Sequence, residues 1–240
     1  MLGSLVVFAV AAQGKPDLSR VHRIVMMGDS ITQMGASPKG YVTLVDQTLD
    51  ASRPSDPYEV VNVGIGGQKA PDMLARFQKD VIDKKPDLVT ISVGVNDVWH
   101  NFRTPTWSGR VPTGDSGRGV SLPDYIKGVE SMVDMAKSAS AKVVLLSPTL
   151  VYEDLDCAEN RRMEIYVRAE EALAKRKGVG FVNLFKMCKD AVAAYQKHAG
   201  RRQLLLTTDG VHMNDAGNAL MADALLRYLG VPVPDNVAAK

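Results

Sequence analysis

A chain of 240 residues, 45% hydrophobic and 23% charged, carries enough apolar side chains for the core of one medium domain, which argues against disorder. Twenty-nine basic against twenty-seven acidic residues leave a net charge of +2, and no Lys/Arg stripe interleaves with aromatics. Nucleic acid is therefore a poor partner, and a small neutral or mildly charged substrate fits better.

In chain order, the apolar stretch Leu5 to Ala12 is too short for a membrane span and long enough for a signal-peptide core, with an Ala-x-Ala pattern at Ala9 and Ala11. Export is the expectation for residues 1–20, read as a signal peptide or disordered segment, with a cytoplasmic protein as the alternative. Strand-like apolar runs then alternate with amphipathic stretches. Strands are expected at Ile24–Met27, Glu59–Val63, Leu88–Val93, Val143–Leu146 and Gly180–Leu184. Helices are expected at Tyr41–Ala51, Pro71–Lys84, Leu122–Ser138, Glu159–Lys177, Lys186–His198 and Asp215–Leu229. Pro71 and Pro123 stand near helix starts, and Gly178, Gly200 and Gly230 near ends. The order predicts one doubly wound α/β sheet over residues 21–232, followed by a tail at 233–240.

Four polar clusters fall where strands end. Gly28-Asp29-Ser30-Ile31-Thr32 follows the first strand, Asn62 to Gln68 the second and Gly94-Val95-Asn96-Asp97 the third, while Asp209-Gly210-Val211-His212 precedes the last helix. In open parallel sheets ligands bind at the carboxyl ends of the strands, so these clusters share one edge. A serine hydroxyl is a weak nucleophile that needs a base, and the base needs a group to hold its tautomer. Ser30, His212 and Asp209 fit those roles. Acyl transfer also needs donors for the developing oxyanion, and the N–H groups of Ser30 and Gly67 with the Asn96 amide are candidates. Each cluster alone has a plainer reading as a turn or a helix cap. Together they supply every part of one reaction.

These four blocks, in this order, resemble the SGNH hydrolase superfamily, also called the GDSL-like esterases and lipases, over nearly residues 22 to 230. Leu-Ser-Pro-Thr, Leu146 to Thr149, resembles the family's segment at the end of the fourth strand. The resemblance implies a flavodoxin-like α/β/α sandwich with a five-stranded parallel sheet. It implies Ser30 as nucleophile, His212 as base, Asp209 as its orienting acid, and Gly67 and Asn96 as oxyanion donors with Ser30. Gly67 is preferred to Gly64 and Gly66 because the family's donor usually precedes a polar residue. That residue is Gln68 here, where Asp is common.

The stretch 100–121 is rich in Gly, Pro, Ser and Thr and longer than an ordinary loop, which suggests a binding loop. Trp99, His100, Phe102, Arg103, Trp107 and Arg110 lie in or beside it. Asp29, Trp99, His100, Phe102 and Trp107 are candidate substrate contacts, although the favoured role of Asp29, as of Asp97, is to hold its loop through backbone amides. The tryptophans could stack on a sugar ring or pin the loop. Short acyl esters, acetylated carbohydrate first, are the expected substrates. Thioesters, lysophospholipids, or a non-catalytic anion-binding module are the alternatives.

His22, His100 and His198 lack metal-ligand spacing, so no metal or other cofactor is expected. There is no Gly-x-Ser-x-Gly elbow and no phosphate-binding P-loop. Cys157 and Cys188 could pair in an exported protein or remain free thiols in the cytosol. The sequence fixes no oligomeric state.

Overall fold

All five apolar runs form strands, and every pairing between them is parallel. The computed structural model describes residues 16–102, 116–199 and 204–233. Its strands are β1 (Arg23–Gly28), β2 (Glu59–Gly64), β3 (Leu88–Ser92), β4 (Lys142–Leu146) and β5 (Gly180–Val182), in the spatial order β2-β1-β3-β4-β5. In the middle strands β1, β3 and β4 almost every residue is buried, whereas the edge strand β2 is only half-buried. Burial on both faces explains why the central strands read as unbroken apolar runs rather than alternating ones.

The helices are α1 (Ser30–Met34), α2 (Tyr41–Ser52), α3 (Ala70–Asp80), α4 (Val95–Trp99), α5 (Leu122–Ser138), α6 (Ala158–Lys177), α7 (Leu184–Ala199) and α8 (Asp215–Leu229). Helix α8 packs with α2 and α7, while α5 packs with α3 and α6. These two groups cover the two faces of the sheet.

Most boundaries shift by a residue or so, and the larger departures are local. The expected 71–84 helix breaks into α3 and a short 3-10 turn, Ile82–Lys84, closed by Lys85 in the left-handed region at φ 54°. Strand β5 stops at Val182 because the Asn183 side chain accepts a bond from Lys186 N at 2.9 Å, starting α7 early. The one-turn helices α1 and α4 arise inside stretches expected as turns, and both lie at the strand ends that carry the polar clusters.

Strand order reverses beside β1, which pairs with β2 on one side and with β3 on the other. A crevice at the strand ends forms at such a reversal. Ser30 follows β1, Gly67 follows β2 and Asn96 follows β3, so three segments converge there.

Candidate active site

Ser30 is the first residue of α1, and the turn that delivers it depends on its two predecessors. The Asp29 carboxylate caps the helix by accepting the Ile31 N–H at 2.9 Å. At Gly28 a Cβ would lie 1.9 Å from Thr32 Oγ1 and 3.2 Å from the Ser92 carbonyl oxygen. The strand can therefore turn into α1 against β3 only without a side chain there.

His212 reaches the same point from the other end of the chain. Its Nε2 lies 3.0 Å from Ser30 Oγ, and its Nδ1 lies 2.7 Å from Asp209 Oδ2. An ionised carboxylate can only accept, so Nδ1 carries the proton and the Nε2 lone pair faces the serine hydroxyl. The other Asp209 oxygen accepts the N–H groups of Val211 and His212 at 2.9 and 2.8 Å. Burial pulls the Asp209 carboxyl upward, but the His212 ring and these two amides outweigh it and hold the group below the usual carboxylate range. Gly210 turns the segment at φ +91°, where a Cβ would come within 3.2 Å of Tyr152 Cα.

A buried acid absent from the sequence-based site supports this segment. Glu153 accepts Leu205 N at 2.6 Å on one oxygen. Its other oxygen accepts Leu206 N at 2.8 Å, Thr207 N at 2.9 Å and Thr207 Oγ1 at 2.7 Å. Thr207 then pairs with Met213, and Thr208 N donates to the His212 carbonyl at 2.9 Å, closing the loop that holds Asp209 and His212. Tyr152 and Glu153 both have positive φ, 60° and 49°, an uncommon conformation for side chains of this size. Nothing in the local sequence Tyr-Glu-Asp marks this role.

On the opposite side, no hydrogen bond among the described residues engages the N–H of Ser30 or of Gly67. Gly67 has φ +76°, and a Cβ there would meet nothing within 4 Å. The neighbouring Gly66 N–H is committed to Gln33 Oε1 at 2.9 Å. Asn96 Nδ2 donates to the Gln68 carbonyl at 3.1 Å and approaches Asp29 Oδ2 at only 3.5 Å, a contact weak enough to leave one amide hydrogen for a ligand. Gln68 itself is held by Arg76, whose Nε donates to Oε1 at 2.6 Å. Both acids of the cluster are buried beneath these donors. Burial pushes Asp29 up to about 6. Burial first, then the charge of Asp29, push Asp97 to about 7 despite the bond it accepts from Ala70 N at 3.0 Å.

The remaining candidates are placed as follows. Asp29 lies under the turn as the α1 cap rather than on a pocket wall. Trp99 donates through its indole N–H to the Tyr152 hydroxyl, and the two rings meet edge to face at 6.3 Å. Tyr152 also donates its N–H to the Gly210 carbonyl, so this aromatic pair joins the Asn96 helix to the His212 segment. His100 lies beside Trp99, ring centroids 5.5 Å apart, and its carbonyl accepts Ser116 Oγ at 2.7 Å. Phe102 is buried in the core with the Arg162 guanidinium 4.6 Å from its ring centre. Trp107, Arg103 and Arg110 lie outside the described residues.

Cys157 and Cys188 are not bonded to each other. Burial pushes the Cys157 thiol to about 11 and the Cys188 thiol to about 12. Among the described residues, no helix is long and apolar enough to cross a membrane, and no three His, Cys, Asp or Glu side chains are grouped to hold a metal ion.

The chain is similar to several known esterases. The chain is 30% identical over 220 residues to an acetylxylan esterase of Geobacillus stearothermophilus, covering 87% of this chain and 94% of that one. It is 24% identical over 226 residues to an isoamyl acetate-hydrolyzing esterase of Saccharomyces cerevisiae, covering 87% and 86% of the two chains. The crystal structure of the Geobacillus enzyme superposes with a TM-score of 0.75 at 28% identity, over 93% of this chain and 99% of that one. Three further structures of that enzyme are described as catalytic mutants, with a serine, an aspartate, and a histidine three positions beyond the aspartate each replaced by alanine. The acetyl xylan esterase AlAXEase superposes with a TM-score of 0.72 at 30% identity, over 85% of this chain and 98% of that one. The sequence profile of the GDSL-like lipase/acylhydrolase family matches residues 26–220. With every strand but the first residues of β1 inside that match, the chain belongs to this family, the SGNH hydrolases, and is a carboxylic ester hydrolase.

Proposed function

We propose that the protein removes short acyl groups, acetyl first among them, from carbohydrate hydroxyls by two acyl transfers through Ser30. The observation that carries the reading is the relay in which Ser30 Oγ sits 3.0 Å from His212 Nε2 while Asp209 holds Nδ1 at 2.7 Å. His212 takes the Ser30 proton as Oγ bonds to the ester carbonyl carbon, and the N–H groups of Ser30 and Gly67 and the Asn96 amide hold the oxyanion. Protonated His212 then gives its proton to the departing alcohol oxygen as the ester C–O bond breaks. Water repeats the sequence: its proton goes to His212, its oxygen bonds to the acyl carbon, and the acid leaves as Ser30 regains its proton. Asp209 stays ionised and steadies the imidazolium.

The acetyl preference draws on the similarity to an acetylxylan esterase and an isoamyl acetate-hydrolyzing esterase, and the carbohydrate on the aromatic surface of Trp99 and Tyr152 between the Asn96 helix and the His212 segment. The deciding assay is kcat/KM across p-nitrophenyl acetate, butyrate and octanoate, then acetylated xylo-oligosaccharides. Acetyl should lead. Ser30→Ala should abolish turnover and labelling by an organophosphonate, and undiminished hydrolysis by that variant sinks the mechanism. Asn96→Ala should lower kcat about 10²- to 10³-fold and leave KM nearly unchanged. Export, read from residues 1–12, belongs to the same proposal and is tested by fractionating cells that express the full chain.

A further inference from the structure

Behind the turn that carries Asn96 lie two fully buried ionisable side chains that take no part in the reaction, Tyr125 on α5 and Glu170 on α6. The Tyr125 hydroxyl oxygen is 3.1 Å from the Val93 carbonyl oxygen and 3.0 Å from Glu170 Oε2. A hydroxyl has one proton to give, and the carbonyl has none. If Tyr125 donates to Val93, the second contact is a hydrogen bond only when Glu170 supplies a proton of its own. If an ionised Glu170 took the tyrosine proton instead, the Val93 carbonyl would face a hydroxyl lone pair at 3.1 Å. The carboxylate's other oxygen, which has no partner among the described residues, would then share a full charge out of reach of water.

Neighbouring groups favour the same protonation. Burial, with a smaller contribution from the Asp97 charge, pushes the Glu170 carboxyl well above the usual range against the downward pull of the Tyr125 bond. The pair also touches the turn itself. Val93 leads into Gly94, whose φ is +126°, and a Cβ on Gly94 would stand 3.1 Å from the Tyr125 hydroxyl and 3.0 Å from Pro148 Cγ. Asn96 lies two residues further on, in α4.

We propose that Glu170 is a neutral carboxylic acid that donates a hydrogen bond to the Tyr125 hydroxyl, which in turn donates to the Val93 carbonyl, and that this pair of bonds fixes the Gly94 turn and so aims the Asn96 amide at the oxyanion. Glu170 and Tyr125 are positioning residues and touch no reacting atom. The inference rests on the oxyanion role of Asn96.

The test compares the native protein with Glu170→Gln and Tyr125→Phe at about pH 8.5, above the values near which Asp29 and Asp97 titrate. The infrared spectrum of the native protein should contain the carbonyl stretch of a protonated acid, and Glu170→Gln should lack it. Glutamine can still donate to Tyr125, so kcat should stay within about twofold of native. Tyr125→Phe should lower kcat roughly tenfold with KM unchanged, less than the loss of the Asn96 donor itself, while Ser30 still labels with an organophosphonate. The proposal is overturned if Glu170→Gln removes no such band, or if it lowers kcat as much as Tyr125→Phe. Should Glu170→Gln not fold, the band must shift in Tyr125→Phe, and an unshifted band overturns it equally. Full kcat in Asn96→Ala, with the band intact, would instead count against the oxyanion reading.

Discussion

Glutamine at Glu153 keeps the shape of the side chain and removes one acceptor. The native carboxylate receives four hydrogen bonds, from Leu205 N, Leu206 N, Thr207 N and Thr207 Oγ1. Three converge on one oxygen, so the best placement of the amide turns its NH2 toward Leu205 and leaves that N–H facing another donor. The orphaned Leu205 N–H is only half-buried and costs about 1–2 kcal/mol, and three bonds losing their charge assistance cost about 1 kcal/mol each, for a total of about 4–5 kcal/mol. That is a large share of a typical domain stability of about 5–15 kcal/mol, yet the four bonds serve one segment, which can open alone. Glu153→Gln should therefore lose hydrogen-exchange protection at residues 205–207, while far-ultraviolet circular dichroism stays native. With Asp209 and His212 loosened, kcat on p-nitrophenyl acetate should fall roughly 10²-fold and KM should hold. Lost protection at 205–207 combined with kcat within about twofold of native would refute the link between this acid and the placement of His212.

Gly67→Ala should cost only about 1–2 kcal/mol, because its Cβ meets open space and the penalty comes from φ +76°. Gly28→Ala, with Thr32 Oγ1 at 1.9 Å, should unfold at distinctly lower urea, and equal midpoints for the two variants would refute the steric account. Asp97→Asn should become relatively more stable as pH rises. The folded chain keeps the Asp97 proton up to about 7 while the unfolded chain releases it near about 4, so native stability is full below the lower value and declines across that window. Urea midpoints at about pH 5 and about pH 8 test this, and a gap between native and Asp97→Asn that stays constant contradicts it.

The sheet was legible because parallel strands buried on both faces leave unbroken apolar runs, and all five appear within two residues of expectation. Helices with caps at both ends read equally well: α5 begins after Ser121, which accepts Asp124 N at 3.3 Å, and α8 runs from the Asn214 cap to Gly230 at φ 80°. The short helices α1 and α4 did not, since five residues are too few to show a helical period. The clusters holding Ser30, Asn96, Asp209 and His212 were legible because each joins turn-forming residues to reactive groups; the first two stand at strand ends, whereas Asp209 and His212, expected at another, lie within the loop closed by the isolated pairing of Thr207 with Met213. Glu153, Glu170 and Tyr125 were not, because each acts through contacts with distant segments. Glu170 sits in the charge-rich helix α6, among residues that ordinarily face water, and nothing local distinguishes it from Glu171.

The contact between Ser30 and His212 spans 182 residues, whereas the sheet is complete at Val182, thirty positions before the histidine. The base of the proposed relay is therefore the last part of the site to be synthesised, after every strand and after the serine. Helix α8, which follows His212 directly, is tied back to α2 by Asn218 Oδ1, which accepts the Tyr41 N–H at 2.9 Å across 177 residues. Under the proposed mechanism, a chain that ends short of residue 212 carries all five strands and its serine but has no base to activate it.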